Sequence, residues 1–310
     1  MFTIKQPNKI IFGCNSANEY TYSKKSLVIT SNGSEKRGWF DYLGINNSYI
    51  FDDVIPNPSI ETIDTIQSEF SNSEIDTVIG LGGGSSLDVA KYVASKMQKK
   101  KILIPTTFGS GSEVTRISVL KVNGLKKSFH DDEFFADVAI VDSHFIEDSP
   151  IDIIKNSAID AVAQCSEGFD SKNGNQYTKF MCEHAFQLLE NGIMNMDKEK
   201  IVLGSLISGL GFGNCSTTLG HALSYVFSNE GYSHGHALSY TTAVAHDFND
   251  SKFSSRFKKL VEKLDFSKIK LKMNIEDAAE VILTDKKHLD NNPKIVSKGD
   301  IIALIKKISN

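Results

Sequence analysis

Short apolar runs alternate with amphipathic stretches through the first half of the chain. Residues 27–30, 48–51, 77–80, 101–104 and 138–141 each read as a buried strand. Between them, residues 59–70 place Ile60, Ile63, Ile66 and Phe70 on one helical stripe. Residues 86–97 predict a second helix, entered directly from a strand through a glycine-rich turn. Strand, turn, helix and strand in that order predict a parallel sheet covered on both faces. Beyond Pro150 the strand-like runs cease. Helical periods fill 151–169, 177–189, 200–210, 219–227, 257–264, 276–283 and 300–308. The fold class expected is α/β, with an N-terminal parallel-sheet domain over residues 1–149 and a C-terminal all-helical domain over residues 150–310. A cleft between two such domains is a usual place for an active site.

Composition narrows the classes of function. The chain has 310 residues and a formal net charge of −4, so it has no general attraction for nucleic acid or anionic membranes. Cys14, Cys165, Cys182 and Cys215 are widely spaced and form no C-x-x-C pair, which predicts reduced thiols in a cytoplasmic protein. The N-terminal residues lack the continuous apolar core of a signal peptide. The run 201–213 is too short and too broken by glycine and serine to span a bilayer.

Two turns carry candidate chemistry. Gly82, Gly83, Gly84 and Ser85 lie between a predicted strand and helix, with Asp88 one turn on. Consecutive glycines let main chain approach a ligand, and the amides opening the helix suit a pyrophosphate. A plain tight turn with Ser85 as cap is the alternative. Thr106, Thr107, Ser110 and Ser112 follow the next strand and bring hydroxyls to the same sheet edge, where α/β ligands bind. A second constellation lies in the helical half. Asp160 and Gln164 are four apart and share a helix face. His221 sits on a later helix, and His234 and His236 follow a loop. One carboxylate and two imidazoles can hold a divalent metal, with Gln164 adding a neutral oxygen. The alternative is a set of hydrogen-bonded core histidines, which is also the reading for His130, His144, His184 and His288.

Taken together, Gly82-Gly83-Gly84-Ser85 with Asp88 and Lys91, then Pro105-Thr106-Thr107 and Gly111-Ser112-Glu113-Val114-Thr115, resemble the iron-containing (group III) alcohol dehydrogenases. So do Asp137–Asp142, Asp160, His221 and His234-Gly235. The resemblance implies a dehydroquinate synthase-like architecture. A dinucleotide-binding domain is followed by a helical metal- and substrate-binding domain, with catalysis between them. It further implies NADPH or NADH as cofactor, and one divalent metal, Fe2+ or Zn2+, on Asp160, Gln164, His221 and His234. Where the family pattern has histidines, this chain has Gln164 and Tyr225. Together with Ser216-Thr217-Thr218 and His234-Gly235-His236-Ala237, these changes resemble the phosphonoacetaldehyde reductase (hydroxyethylphosphonate dehydrogenase) branch.

That branch implies reduction of phosphonoacetaldehyde to 2-hydroxyethylphosphonate. The alternatives are another small or sugar-derived aldehyde, or a homologue that binds nucleotide with impaired catalysis. Tyr225 or His236 would pass the proton, and Arg116, Lys126 or Lys127 would meet the phosphonate. Ser31 ends the first buried strand and lacks the carboxylate that repels a 2′-phosphate, so NADPH is expected to be accepted. Lys36 and Arg37 lie a few residues on, where they could approach that phosphate; the alternative reading is a solvated helix start. The partners expected are a small aldehyde or alcohol, with no nucleic acid and no membrane, and the resemblance suggests a homodimer.

Overall fold

The computed structural model describes residues 1–309. They form two compact units, residues 4–149 and residues 150–309 with Met1–Thr3. In chain order the first unit contains β1 (Lys9–Phe12), β2 (Ser26–Ile29), α1 (Trp39–Leu43), β3 (Tyr49–Phe51), α2 (Ile60–Glu69), β4 (Thr77–Gly82) and α3 (Gly84–Met97). It continues with β5 (Lys100–Pro105), β6 (Ile117–Val122), β7 (Leu125–His130), β8 (Val138–Val141) and α4 (His144–Glu147).

Six strands form one parallel sheet in the order β1-β8-β5-β4-β2-β3. Every residue of β2, β4 and β8 is buried. Strands covered on both faces have no polar side to present, which is why they read as unbroken apolar runs. Gly83 alone separates β4 from α3, so the start of α3 is fixed at the carboxyl edge of the sheet. The pair β6–β7 is an antiparallel hairpin outside that sheet. Asn123 and Gly124, both at positive φ (51° and 79°), form its tip, as a two-residue turn of this hand requires.

The second unit contains α5 (Ile151–Asp170), α6 (Gln176–Asn195), α7 (Lys198–Phe212), α8 (Leu219–Asn229), α9 (His234–Asn249), α10 (Ser254–Leu264), α11 (Ile275–Leu283), α12 (Lys286–Asn291) and α13 (Lys298–Ser309). Leu219, Leu223, Val226 and Phe227 of α8 share a core with Ala237 and Ala245 of α9, Ile282 of α11 and Ile301 and Ile305 of α13. Among the described residues no helix is long and apolar enough to cross a membrane. His234 and His236 follow a loop, as expected, and open a helix, α9, that the periodicity of the sequence does not predict. Asn156 of α5 organises that helix start, its Oδ1 accepting from the His236 N–H at 2.9 Å and from the Ser233 hydroxyl.

Candidate functional site

In the helical unit, Asp160, His221 and His234 each offer one ligand atom, and the three atoms lie within 4.8 Å of one another. Asp160 Oδ1 is 3.9 Å from His221 Nε2 and 3.8 Å from His234 Nε2. A tetrahedral shell with bonds of about 2.1 Å sets its ligands about 3.4 Å apart, and both distances from Asp160 lie within about half an ångström of that spacing. Burial drives the Asp160 carboxyl up to about 6, against the opposing pull of His221. A buried carboxylate of this kind is stabilised by a cation.

Glu167 explains how His221 is oriented. It lies seven residues after Asp160 on α5, on the same helix face. Its carboxylate pairs with His221 Nδ1 and accepts from the Thr218 hydroxyl at 2.9 Å and from the Gly220 N–H. Burial alone would raise the Glu167 carboxyl, but His221 and these donors hold it below its ordinary value. With Nδ1 bound to Glu167, His221 turns Nε2 toward Asp160, the carboxylate–histidine arrangement that orients metal ligands.

Gln164 Nε2 donates to Asp160 Oδ1 at 2.9 Å. Its Oε1 is buried without a hydrogen-bond partner among the described residues. An orphaned buried acceptor costs about 1–3 kcal/mol, and a cation beside Asp160 would relieve it. The donor set therefore fits a divalent metal.

His234 reaches the cluster because α9 starts hard against α5. A Cβ on Gly235 would stand 2.0 Å from the Asn156 carbonyl oxygen, so only glycine permits this approach. His236 does not join the cluster. Two residues along a helix is a rotation of about 200°, and its ring stacks on Phe266 while Nε2 bonds the Ser267 carbonyl at 2.5 Å. Tyr225 does join it, its ring stacked 6.4 Å from that of His234. Burial, then the charges of Asp285, Asp160 and Glu167, push its hydroxyl well above the ordinary range, so it stays protonated.

His288, expected to be a plain core residue, stands in the same wall. Its ring lies 6.1 Å from His221 and 5.9 Å from Tyr225, and its Nδ1 bonds Asp285 at 2.6 Å. Nearby, Ser166, His246 and Asp170 imitate a nucleophilic triad, with Ser166 Oγ 2.8 Å from His246 Nε2. Ser166 is fully buried and its hydroxyl also bonds the Val162 carbonyl, so the group is structural.

The candidate nucleotide turn is in the first unit. Gly82 has φ +145°, and a Cβ there would stand 2.8 Å from Ser86 Oγ. Added Cβ atoms on Gly83 and Gly84 would stand 3.1 Å from Thr107 Oγ1 and 2.9 Å from Ser110 Oγ. The three glycines thus keep a bare main-chain cradle walled by the hydroxyls that sequence reasoning singled out. Thr106 N–H donates to the Gly82 carbonyl at 2.9 Å and locks the two turns together. Ser85 is in the first turn of α3, where its hydroxyl accepts from Asn57 N–H at 3.4 Å. The cradle fits a pyrophosphate.

Three expected ligand residues have other employment. Asp88 accepts from Ser112 Oγ at 2.6 Å and from Val119 N–H at 3.0 Å, with buried Lys91 3.7 Å away. It fixes the loop rather than facing a cofactor, and Ser112 is spent in the same contact. Arg116 donates to Asp132 at 2.9 Å, so its charge is already compensated and it is no open receptor for a phosphonate. Ser31 stands just beyond β2, its carbonyl accepting from Ser34 Oγ at 2.9 Å.

Comparison with known proteins agrees with this arrangement. Residues 7–143 match the family described as iron-containing alcohol dehydrogenase, and residues 154–283 match the C-terminal region of the Fe-containing alcohol dehydrogenase family. The chain belongs to the iron-containing alcohol dehydrogenase family. Over 209 residues it is 34% identical to 4-hydroxybutyrate dehydrogenase from Clostridium kluyveri, covering 58% of this chain and 56% of that one. The chain therefore spans little more than half the length of this curated relative. It is 26% identical to sulfoacetaldehyde reductase from Bilophila wadsworthia, over 80% of both chains. The crystal structure of sulfoacetaldehyde reductase from Bifidobacterium kashiwanohense in complex with NAD+ superposes with a TM-score of 0.88 at 24% identity. It covers 100% of this chain and 99% of that one.

Proposed function

We propose that the protein is a metal-dependent reductase that converts a small aldehyde with an anionic tail to the alcohol with NADPH or NADH. Phosphonoacetaldehyde is the substrate we would test first. The convergence of Asp160, His221 and His234, braced by Glu167, is the observation that carries this reading. When bound, a divalent ion there supplies Lewis acidity at a carbonyl oxygen, and the nicotinamide supplies the hydride. Asp160, His221 and His234 hold the ion, with Gln164 Oε1 available as a fourth donor. Gly82, Gly83 and Gly84 hold the pyrophosphate on bare amides, with Thr107 and Ser110 beside them. Tyr225 keeps its proton and donates a hydrogen bond toward the reacting oxygen. A workplace in the cytoplasm accords with the spaced cysteines.

Two relatives named for sulfoacetaldehyde and 4-hydroxybutyrate support an anionic tail. The experiment is turnover of phosphonoacetaldehyde, sulfoacetaldehyde, succinic semialdehyde and propanal after loading with Fe2+ or Zn2+. The reading expects one of the charged aldehydes to be favoured over propanal by about tenfold or more, since a site that pairs a charged tail loses that pairing with an uncharged one. Equal efficiency on all four would remove the anionic tail. No metal-dependent turnover of any would remove the reductase.

A further inference from the structure

We propose that Cys182 and Cys215 form an oxidisable dithiol, and that the disulfide hydrogen peroxide makes between them loosens the hold of the helical unit on its metal. The bridge itself needs no ion, and its effect on the cluster rests on the metal reading given above. The two cysteines are far apart in sequence, and the packing of α5, α6 and α7 brings them together. A Cβ on Gly168 of α5 would stand 3.1 Å from Cys182 Sγ and 3.3 Å from Cys215 Sγ, so both sulfurs border the same small space. A Cβ on Gly211 of α7 would stand 2.7 Å from Cys182 Sγ and 3.2 Å from its main-chain nitrogen. Glycine at both positions lets the helices close on Cys182. Cys215 lies in the turn after α7, and its Sγ reaches the Gly168 and Gly211 carbonyls at 3.3 and 3.5 Å. Bridging therefore asks this turn to give, not a helix.

The two thiols are not equivalent. Cys182 donates to the Cys215 sulfur, which draws the Cys215 thiol below its ordinary value and pushes that of Cys182 up. The thiolate is the form that attacks. Cys165 stays out, since burial pushes its thiol well up and it bonds the Val162 carbonyl. Cys215 attacks one peroxide oxygen, and the O–O bond breaks to give a sulfenic acid and hydroxide. Cys182 then attacks that sulfur, the S–O bond breaks, and a second hydroxide leaves. The two thiol protons turn both hydroxides into water, so two thiols lose the two electrons that one peroxide gains. The turn that carries Cys215 leads straight to the cluster. Asn291 of α12 donates to the Cys215 carbonyl at 2.9 Å and to the Thr217 carbonyl at 3.1 Å. Ser216 between them has φ +66°, which side-chain-bearing residues rarely adopt. Thr218 follows, and its hydroxyl bonds Glu167, which orients His221. Drawing Cys215 toward Cys182 pulls on a pinned and strained turn with little slack.

The test treats the full chain, loaded with redox-inert Zn2+, with hydrogen peroxide. Peptide mass spectrometry should find Cys182 joined to Cys215, with a loss of two hydrogens that a phosphine reductant reverses. Cys182→Ala and Cys215→Ala should each lose the bridge, and Cys14→Ser should keep it, with thermal unfolding checking that all three fold. The oxidised wild type should hold Zn2+ about tenfold more weakly in competition with a chromophoric chelator, as when support behind a ligand is disturbed, and the reductant should restore it. Exposed Cys14 is the internal standard. If Cys182 and Cys215 can both still be alkylated in denatured protein after Cys14 is fully oxidised, the dithiol is overturned. A bridge that forms with Zn2+ affinity unchanged, or a loss of affinity that persists in oxidised Cys215→Ala, would overturn its hold on the metal. If the reduced protein binds no Zn2+, the metal reading fails, and mass spectrometry alone decides the bridge.

Discussion

Asp160, Gln164 and Glu167 occupy one face of α5 at spacings of four and seven, and each has a different task around the same point. Asp160 supplies charge, Gln164 a neutral donor, and Glu167 the tautomer of His221. The first two were legible from spacing alone. Glu167 was not, because its partner lies 54 residues away, although its place two turns beyond Asp160 was a signal available to sequence reasoning. Replacing it tests its role. Glu167→Gln should weaken metal affinity by about 10- to 100-fold, measured by competition with a chromophoric chelator. Unchanged affinity would show that His221 is oriented by other means. Gln164→His should tighten binding, since imidazole is the better donor. Weaker binding in the same assay would show that the present amide has a different task.

At the scale of elements, the approach of α9 to α5 decides whether His234 arrives. Gly235→Ala must either push α9 away from the Asn156 carbonyl or distort its first turn. Overpacking of this sort costs about 1–3 kcal/mol. The expected outcome is a lower melting temperature together with loss of metal, read by calorimetry and elemental analysis. A variant with full metal content would mean that the helix start adapts. Sequence reasoning missed this helix because it opens with a run of small and polar residues, and its cap is the side chain of a distant asparagine. The β6–β7 hairpin was missed for a different reason. Lys121, Lys126 and Lys127 hide its alternation, although Asn123-Gly124 is a strong turn signal. The buried strands, by contrast, were found within a residue or two, since a two-sided apolar environment leaves an unbroken run.

At the scale of the whole molecule, the order of a sheet unit followed by a helical unit could be read from the change in period, because it depends only on local patterning. The pairing of Asp88 with Ser112, or of Arg116 with Asp132, could not, since it depends on loops meeting in space. One buried group gives the first unit a pH signature. Burial pushes the Glu113 carboxyl from 4.5 up to about 7, with its own N–H and Lys91 opposing. Below its ordinary value both folded and unfolded chains hold the proton. As pH rises toward 7 the unfolded chain releases it first, so stability falls through that window and then levels off. Glu113→Gln should remove that fall, so the variant should gain on the wild type between pH 5 and pH 8 in urea unfolding. Parallel pH profiles for the two proteins would refute the assignment.

The three ligand atoms come from α5 and from the consecutive helices α8 and α9, about 50 residues and more further along the chain, and they meet at a single point. An ion bound there would act as a reversible cross-link, knotting three strands of an otherwise open rope. Holding the ion at about a hundred times its dissociation constant would add about 2.7 kcal/mol to the folded state. A chelator should therefore lower the melting temperature of the helical unit and leave urea unfolding of the sheet unit unmoved. If calorimetry with and without chelator gave identical traces, the helices would owe nothing to the cross-link. The same tether makes the helical unit a thermometer for metal supply: when the ion is scarce, the fold loosens before any reaction is attempted.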